Sequence, residues 1–562
     1  MGIPLREQLK DYNSTKLRGD LNAGILVGII LIPQAMAYAQ LAGIQPIYGL
    51  YASIIPLIIY SILGTSRQLS IGPVAITSIL VLSGLGSFSE PFSAEYVQSA
   101  ILIGICAGVI QLLFGLIRLG FITHFLSYPV ILGFTSAAAV IIGISQLSDA
   151  TGIDLSYVSH RLLKVVGIIE QVSSISGYTF SIFLSAILII LGLQKLNKKI
   201  PGALIVVVVS IALSYFLFQD RGVAVVGSIP GDLPKLQIPN VDFVSLINQQ
   251  WVTILSIAVI GIVEHMSIAR TLESKHQSYR LNTNQELIAI GTSKIIGGFF
   301  QAMPSSASFS RSAINDDAGA KSTVATLITA LIILLTLLFL TPLFTFLPKA
   351  VLAAIIIVSI RGLVKPDEIL RLYKISKPDF LMMSVTFITT ILIGITYGVL
   401  FGVVLSLLAV LYRSSTPEVN ILGNLPDTDY YRNMIRYPEA RSIDEILIIR
   451  FDDQLYFGNC NHFTYCIEKY IQECQRNIHH LILDAGNIHF IDSSGIKTLR
   501  DINDWLARRK IELHIARAIG PVRDVLERSD LMKRSECHHM NVHSAVLSIT
   551  MKNDNKVNGV KL

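Results

Sequence analysis

The sequence predicts an all-α polytopic membrane protein followed by a small cytosolic α/β domain. Three observations predict it. Of the 562 residues, 52% are apolar, above the usual share for a soluble globular chain. Most of them fall in long runs up to about Tyr412, and runs of roughly 20 apolar residues mark membrane helices. From Ser414 onward the chain turns polar and alternates short β-branched runs with helical patterns, as an α/β domain does.

The apolar part resolves into fourteen segments. The first seven cover residues 21–39, 48–63, 73–85, 99–117, 128–146, 178–193 and 201–218. The second seven cover 251–269, 286–303, 308–317, 323–340, 350–364, 380–395 and 398–412. Seven is odd, so the second half crosses the membrane inverted relative to the first, and the whole reads as a 7+7 inverted repeat. Charge supports this count. Arg67, Arg118, Lys195, Lys198, Lys199, Arg270, Lys275, Arg280, Lys321, Arg371, Lys374 and Lys377 all follow even-numbered segments. The loop from Ser87 to Tyr96 holds Glu90 and Glu95 and no basic residue, whereas Arg161 and Lys164 break the pattern mildly. Both termini are therefore expected in the cytosol. The polar N-terminus leads into a full-length span, so no cleavable signal is expected, and Met1 to Arg6 lack the pattern for myristoylation. The net charge of +6 is small for this length and gives no reason to expect a nucleic-acid partner.

The expected layout is an N-terminal segment 1–19, a transport region 20–413 with halves 20–218 and 250–413, a linker 414–440, an α/β domain 441–552 and a disordered tail 553–562. In the α/β domain, residues 445–451, 480–484 and 511–516 read as strands. Residues 459–473, 492–509, 521–527 and 544–551 read as helices, the first capped by Asn459. Cys106, Cys460, Cys466, Cys474 and Cys537 show no CxxC spacing. With His462, His479, His480, His538, His539 and His543 in the same region a zinc site is conceivable, but scattered reduced thiols are the expectation, with no metal and no cofactor. No nucleophile–base set suggests an enzyme.

The third segment of each half is short and interrupted by Gly, Pro and Ser: Gly64 to Ile76, and Pro304 to Asn315. Such segments at matching places in two inverted halves point to a substrate site at the midplane. The N-terminus of a half-helix offers free N–H groups and positive potential to an anion. Ala75 near the start of one would contribute its backbone N–H, or simply permit close packing. Ser310 and Arg311 open the other. The serine can donate to an oxyanion or cap the helix; the arginine can supply positive potential or snorkel to a membrane surface. Gln34 and Tyr38 follow Pro33 one turn apart and share a face. Gln34 can donate to an anion without adding charge or join helices. Glu264 is the sole acidic residue in the eighth segment. An ionisable group there suggests function: it can carry a proton between access states, or pair with Arg311 or another base. His265 adjoins it but points to another side of the helix.

Pro33-Gln34-Ala35-Met36-Ala37-Tyr38-Ala39-Gln40-Leu41-Ala42-Gly43, then Pro46-Ile47-Tyr48-Gly49-Leu50-Tyr51, the Arg67 to Ala75 stretch and Ser308-Phe309-Ser310-Arg311-Ser312 together resemble the sulfate permease family. The C-terminal part resembles the STAS domain that its members carry. The resemblance covers nearly the whole chain. It implies core and gate domains, a homodimer, and an anion held by Gln34, Tyr38, Ala75, Phe309, Ser310 and Arg311, with Glu264 linked to proton coupling. It weighs against sodium, because the sodium-coupled members use an aspartate-based site. It implies proton-coupled sulfate uptake across an inner or plasma membrane, the partners being sulfate or a similar oxyanion, protons and lipid. Bicarbonate or other anion exchange, an uncoupled channel, and a sensor acting through the STAS domain are the alternatives; a nucleobase permease shares the general fold but lacks an arginine-bearing anion site. Asp492-Ser493-Ser494-Gly495 matches the loop phosphorylated in anti-sigma-factor antagonists, at Ser493 here. Ser and Asp are also ordinary helix caps.

Overall fold

The computed structural model describes residues 4–86, 88–120, 127–153, 163–196, 201–218, 222–277, 279–474, 476–529, 531 and 538–557. Residues 1–3, Ser87, Arg161, Lys198, Lys199 and Cys537, used in the sequence reading, lie outside these, as does the end of the expected tail, 558–562. The apolar part is mostly helical. The first half comprises α1 (Ser14–Leu41), α2 (Pro46–Tyr51), α3 (Ile55–Leu63), α4 (Ala75–Leu85), α5 (Ala94–Leu116), α6 (Tyr128–Ser145), α7 (Gly177–Leu196) and α8 (Gly202–Leu213). The second comprises α9 (Phe243–His276), α10 (Thr283–Phe299), α11 (Phe309–Asp317), α12 (Val324–Phe339), α13 (Lys349–Ile360), α14 (Lys377–Leu392) and α15 (Ile395–Ser415). Among the described helices, seven spans are long and apolar enough to cross a membrane. The second expected segment is two helices, because Ala52 to Ile54 interrupt it. α1 and α9 start well ahead of their apolar runs: Asn13 caps α1 by accepting from Lys16 N, and Asp242 caps α9 by accepting from Val244 N and Ser245 N.

The two halves interlock instead of standing side by side. α1 packs on α12 and α9 on α5; α5 packs on α10 and α12 on α3; α11 lies against α1 and α4 against α9. Each of these pairs becomes the other when the halves are exchanged, which is how an inverted repeat packs. A second group obeys the same exchange, α6 on α14 and α7 on α13. The membrane region is thus two bundles, the one built on α1, α3, α5, α9, α10 and α12 and the other on α6, α7, α13 and α14.

Buried carboxylates lock the first bundle across the halves. Asp20 on α1 accepts from Lys321 N (2.6 Å), Ser322 N (3.0 Å) and Ser322 Oγ (2.5 Å) ahead of α12, and from Tyr12 Oη (2.9 Å). Glu286 on α10 accepts from Thr65 N (2.5 Å), Thr65 Oγ1 (2.6 Å) and Ser66 N (2.9 Å) ahead of α4, and from Tyr60 Oη (2.9 Å). A carboxylate in lipid is tolerated only when its lone pairs are filled, and both meet that demand with loop N–H groups and hydroxyls from the other half, together with a tyrosine.

The polar domain has a six-stranded sheet, besides the short two-stranded pairing of the membrane region: β1 (Ile71–Gly72), β2 (Ser306–Ala307), β3 (Val419–Asn424), β4 (Tyr431–Asn433), β5 (Ile446–Phe451), β6 (His480–Asp484), β7 (Glu512–Ala516) and β8 (His538–His539). The six run in the order β4-β3-β5-β6-β7-β8, parallel from β5 to β8 and antiparallel at β3 and β4. Both faces are covered, as expected of parallel strands. Leu447, Ile449 and Phe451 pack with α16 (Cys460–Glu473), α17 (Ser493–Ala507) and α18 (Gly520–Arg528). Ile446 and Ile448 pack with α19 (Val542–Val557). β3 and β4 lie in the stretch expected as a linker, and α19 runs past the expected start of the tail. Asn459 does occupy a cap position, but its side chain bonds Tyr456 N, Gln454 O and Ser414 O and leaves the helix N–H groups alone.

Gly49 carries a packing prediction. A Cβ there would stand 2.1 Å from the Ala35 carbonyl oxygen, a fixed backbone atom of α1. Overpacking of this kind costs about 1–3 kcal/mol. Gly49→Ala should lower the thermal unfolding temperature of the purified protein and reduce its yield; an unchanged midpoint would mean that α1 and α2 do not meet as described.

Candidate functional site

The two short third segments meet. β1 and β2 pair antiparallel, Ile71 opposite Ala307 and Gly72 opposite Ser306. Ser70 and Ser312 extend the pairing: Ser308 N donates to Ser70 O and Ser70 N donates to Ser312 Oγ, both at 2.9 Å. Asn315 Nδ2 donates to Gln68 O at 2.8 Å. α4 and α11 leave this strand pair in opposite directions, so both N-termini abut it. At α4 the cap residue is Val74, which offers no side-chain acceptor to the first-turn N–H groups. At α11 Ser308 caps by accepting from Arg311 N at 3.4 Å. Its hydroxyl also lies 3.3 Å from Ser310 Oγ.

Arg311 is the largest fully buried side chain among the described residues, 1% exposed. Its Nη1 donates to Gln34 Oε1 at 3.3 Å, while Nε and Nη2 have no partner. This overturns a surface-snorkelling arginine, since the head group does not reach water. Gly72 makes room for it. With φ of 146° and a would-be Cβ only 3.2 Å from Arg311 Nη2, the position favours glycine on both counts. Gln34 and Tyr38 are buried on α1, and Tyr38 interacts with Arg311 and Ser359. Ala75 begins α4. Phe309 and Ser310 are exposed at the start of α11. The structure therefore gathers Gln34, Tyr38 and Arg311 around one point and sets Ala75, Phe309 and Ser310 at the two flanking helix ends.

Glu264 is not paired with Arg311. Its Oε2 accepts from Ser306 Oγ at 3.4 Å, on β2, and its charge partner is Lys294. Lys294 is a buried lysine of α10 whose Nζ donates to Gln111 Oε1 at 3.0 Å, and Gln111 Nε2 donates on to Ala258 O at 2.9 Å. On its other side Glu264 borders a small apolar recess lined by Val130, Ile131, Phe134 and Thr135 of α6 and by Ile260 and Val263 of α9. It thus stands where the first bundle faces the second. His265 points elsewhere, its Nε2 lying 2.6 Å from Glu286 Oε2. Lys294, Gln111 and the His265–Glu286 pair did not figure in the sequence reading of the site. Lys294 was detectable by the same signal as Glu264, being the sole basic residue within an apolar span. The pairing of His265 with Glu286 depends on packing between α9 and α10 that no local pattern encodes.

A sequence model described as the sulfate permease family matches residues 17–386, and one described as the STAS domain matches residues 437–545. This chain belongs to the sulfate permease family. It is 36% identical over 547 residues to the Arabidopsis thaliana "Probable sulfate transporter 4.2", covering 94% of this chain and 80% of that protein. To the "High affinity sulfate transporter 2" of Stylosanthes hamata it is 35% identical over 544 residues, covering 92% and 81%. Its fold is similar to that of the murine Solute Carrier 26 family member A9 anion transporter in the inward-facing state, with a TM-score of 0.88 at 28% identity over 97% of this chain and 93% of that one. This sulfate permease homologue is thus a multi-pass membrane protein with a STAS domain. In that domain Asp492 caps α17 by accepting from Gly495 N at 2.7 Å and also accepts from Phe457 N at 3.0 Å, while Ser493 is exposed in the first helical turn.

Glu286 gives a stability prediction separable from function. Its carboxylate satisfies four donors from Tyr60, Thr65 and Ser66 besides His265. Glu286→Gln should cost about 2–4 kcal/mol, since a half-filled buried network leaves donors stranded. The midpoint of thermal unfolding should fall clearly below that of Glu264→Gln, whose carboxylate has one long bond. Equal midpoints for the two variants would contradict the network's structural role.

Proposed function

We propose that this protein is a proton-coupled sulfate transporter of an inner or plasma membrane, moving the anion by alternating access of the two bundles, as a homodimer. The observation that carries the reading is the buried Arg311 guanidinium, with two donors unfilled, between the N-termini of two half-helices. An unpaired buried cation is costly, and an oxyanion seated there would offset that cost. Arg311 Nε and Nη2, the first N–H groups of α4 from Ala75, and the hydroxyl of Ser310 would be donors. Gln34, already accepting from Arg311, would present its amide nitrogen, and Tyr38 and Phe309 would line the site. Sulfate is a tetrahedral dianion, and charge-assisted bonds from such a set are the strong ones. The sulfate-transporter relatives support the choice of anion.

The driver follows from charge. Each negative charge costs about 2.3 kcal/mol per 100 mV to bring into a negative-inside compartment, so uphill sulfate uptake needs coupling. Two contacts of Glu264 support that role. Through Ser306 it touches the strand from which the Arg311 half-helix starts, and it faces the apolar recess on α6. A charged carboxylate sliding along that apolar wall raises the barrier to bundle movement; a protonated one does not. Protonation also removes a negative charge from the neighbourhood of the anion. Loading of proton and anion thus favour one another, and the doubly loaded carrier is the species that moves. Phosphorylation at exposed Ser493, placing charge at the N-terminus of α17, is the regulatory side of the same proposal.

Labelled-sulfate uptake into proteoliposomes tests this. Wild type should accumulate sulfate when the outside is acidic, and Glu264→Gln should fall to the level seen without a gradient while retaining sulfate–sulfate exchange. Uptake indifferent to pH would remove the proton mechanism, and bicarbonate or chloride flux in place of sulfate would overturn the substrate.

A further inference from the structure

Three adjacent parallel strands of the STAS domain bring histidines to one face. His480 opens β6, Glu512 opens β7, His514 follows two residues on, and His539 ends β8. The register sets His480 beside Glu512 and Ala516 beside His539. Residues two apart on a strand share a face, so all four side chains lie on the same side of the sheet. His480 Nδ1 is 3.1 Å from His514 Nε2, and Glu512 Oε2 is 3.7 Å from each of these two nitrogens. A triangle with these sides has a circumradius of about 2.0 Å, the length of a zinc–nitrogen or zinc–carboxylate bond. An ion just above the plane of the three atoms therefore reaches all of them and keeps a fourth tetrahedral position for water. The remaining nitrogen of His514, Nδ1, lies 3.2 Å from His539 Nε2. Ligating imidazoles need such an outer partner to fix tautomer and ring orientation. Exposure rises from 5% for the His514 side chain to 17% for His480 and 49% for Glu512, which gives the ion a way in from the Glu512 side.

We propose that His480, Glu512 and His514 bind one divalent transition-metal ion, of which zinc is the best fit, with His539 orienting His514. Two imidazoles and one carboxylate at tetrahedral spacing suit zinc better than magnesium or calcium, which take oxygen ligands in higher number. The ion would join β6 to β7 at the end of the sheet where both strands begin. Because the imidazoles must be neutral to bind, mild acid should release it. Among the described residues, no cysteine belongs to this cluster.

The test uses the full-length protein without a histidine tag, loaded with zinc, dialysed against metal-free buffer, and analysed for zinc by mass spectrometry. Wild type should retain one zinc per chain. His480→Gln and Glu512→Gln, both at partly exposed positions, should retain at least tenfold less, with the unfolding midpoint of the metal-free protein unchanged, and His543→Gln should retain zinc as wild type does. Cobalt in place of zinc should give intense visible d–d bands without a thiolate charge-transfer band. No retained zinc in wild type, wild-type retention in His480→Gln or Glu512→Gln, or a thiolate band would each overturn the assignment.

Discussion

A guanidinium held in the middle of a membrane protein, with part of its hydrogen-bonding capacity unfilled, is the constraint from which the rest of this structure follows. Arg311 is buried to within 1% and gives one bond, to Gln34. Desolvating such a group costs several kcal/mol unless a counter-charge is supplied. Among the described residues no carboxylate fills that role: Glu264 engages Ser306 and Lys294, and Glu286 engages Thr65, Ser66, Tyr60 and His265. These acidic groups are occupied elsewhere, which is why we propose that an anion from outside the chain completes the central cation.

The inverted repeat makes that arrangement possible. Interrupting one helix in lipid exposes backbone groups that must be satisfied. Interrupting two, at equivalent places in opposed halves, lets each break satisfy the other. Ile71–Gly72 and Ser306–Ala307 pair as strands, and Ser70, Ser308, Ser312 and Asn315 complete the join. The two positive helix ends are then brought to one place by the same contacts that repair the breaks. The crossed staples of Asp20 and Glu286, each reaching a loop of the other half, hold the surrounding helices while the centre stays available to a ligand.

Much of this was legible in the chain, for identifiable reasons. The spans were readable because lipid demands uninterrupted apolar length, and the broken segments were readable because Gly, Pro and Ser interrupt it at matching places. Arg311 stood out as a charge beside such a break. What the sequence concealed was partnership. Glu264 was open to pairing with Arg311, yet α10 supplies Lys294 and β2 supplies Ser306. The choice depends on how α9 rotates against α10, a tertiary fact. Likewise β3 and β4 were read as linker, because Tyr431–Asn433 is too short to show an alternating pattern. His480 and His539 stood among the conceivable zinc residues but His514 and Glu512 did not, because strand register, not spacing, brings them together.

The most direct test of the central claim is calorimetric titration of sulfate into the detergent-purified protein, wild type against Arg311→Gln, with unfolding midpoints recorded for both. Losing charge-assisted bonds of about 1.5–3 kcal/mol should weaken binding by roughly tenfold to a hundredfold in a variant that remains folded. Wild-type affinity in a folded Arg311→Gln protein would contradict the account, because the anion would then not be bound by the group whose unfilled donors define the site.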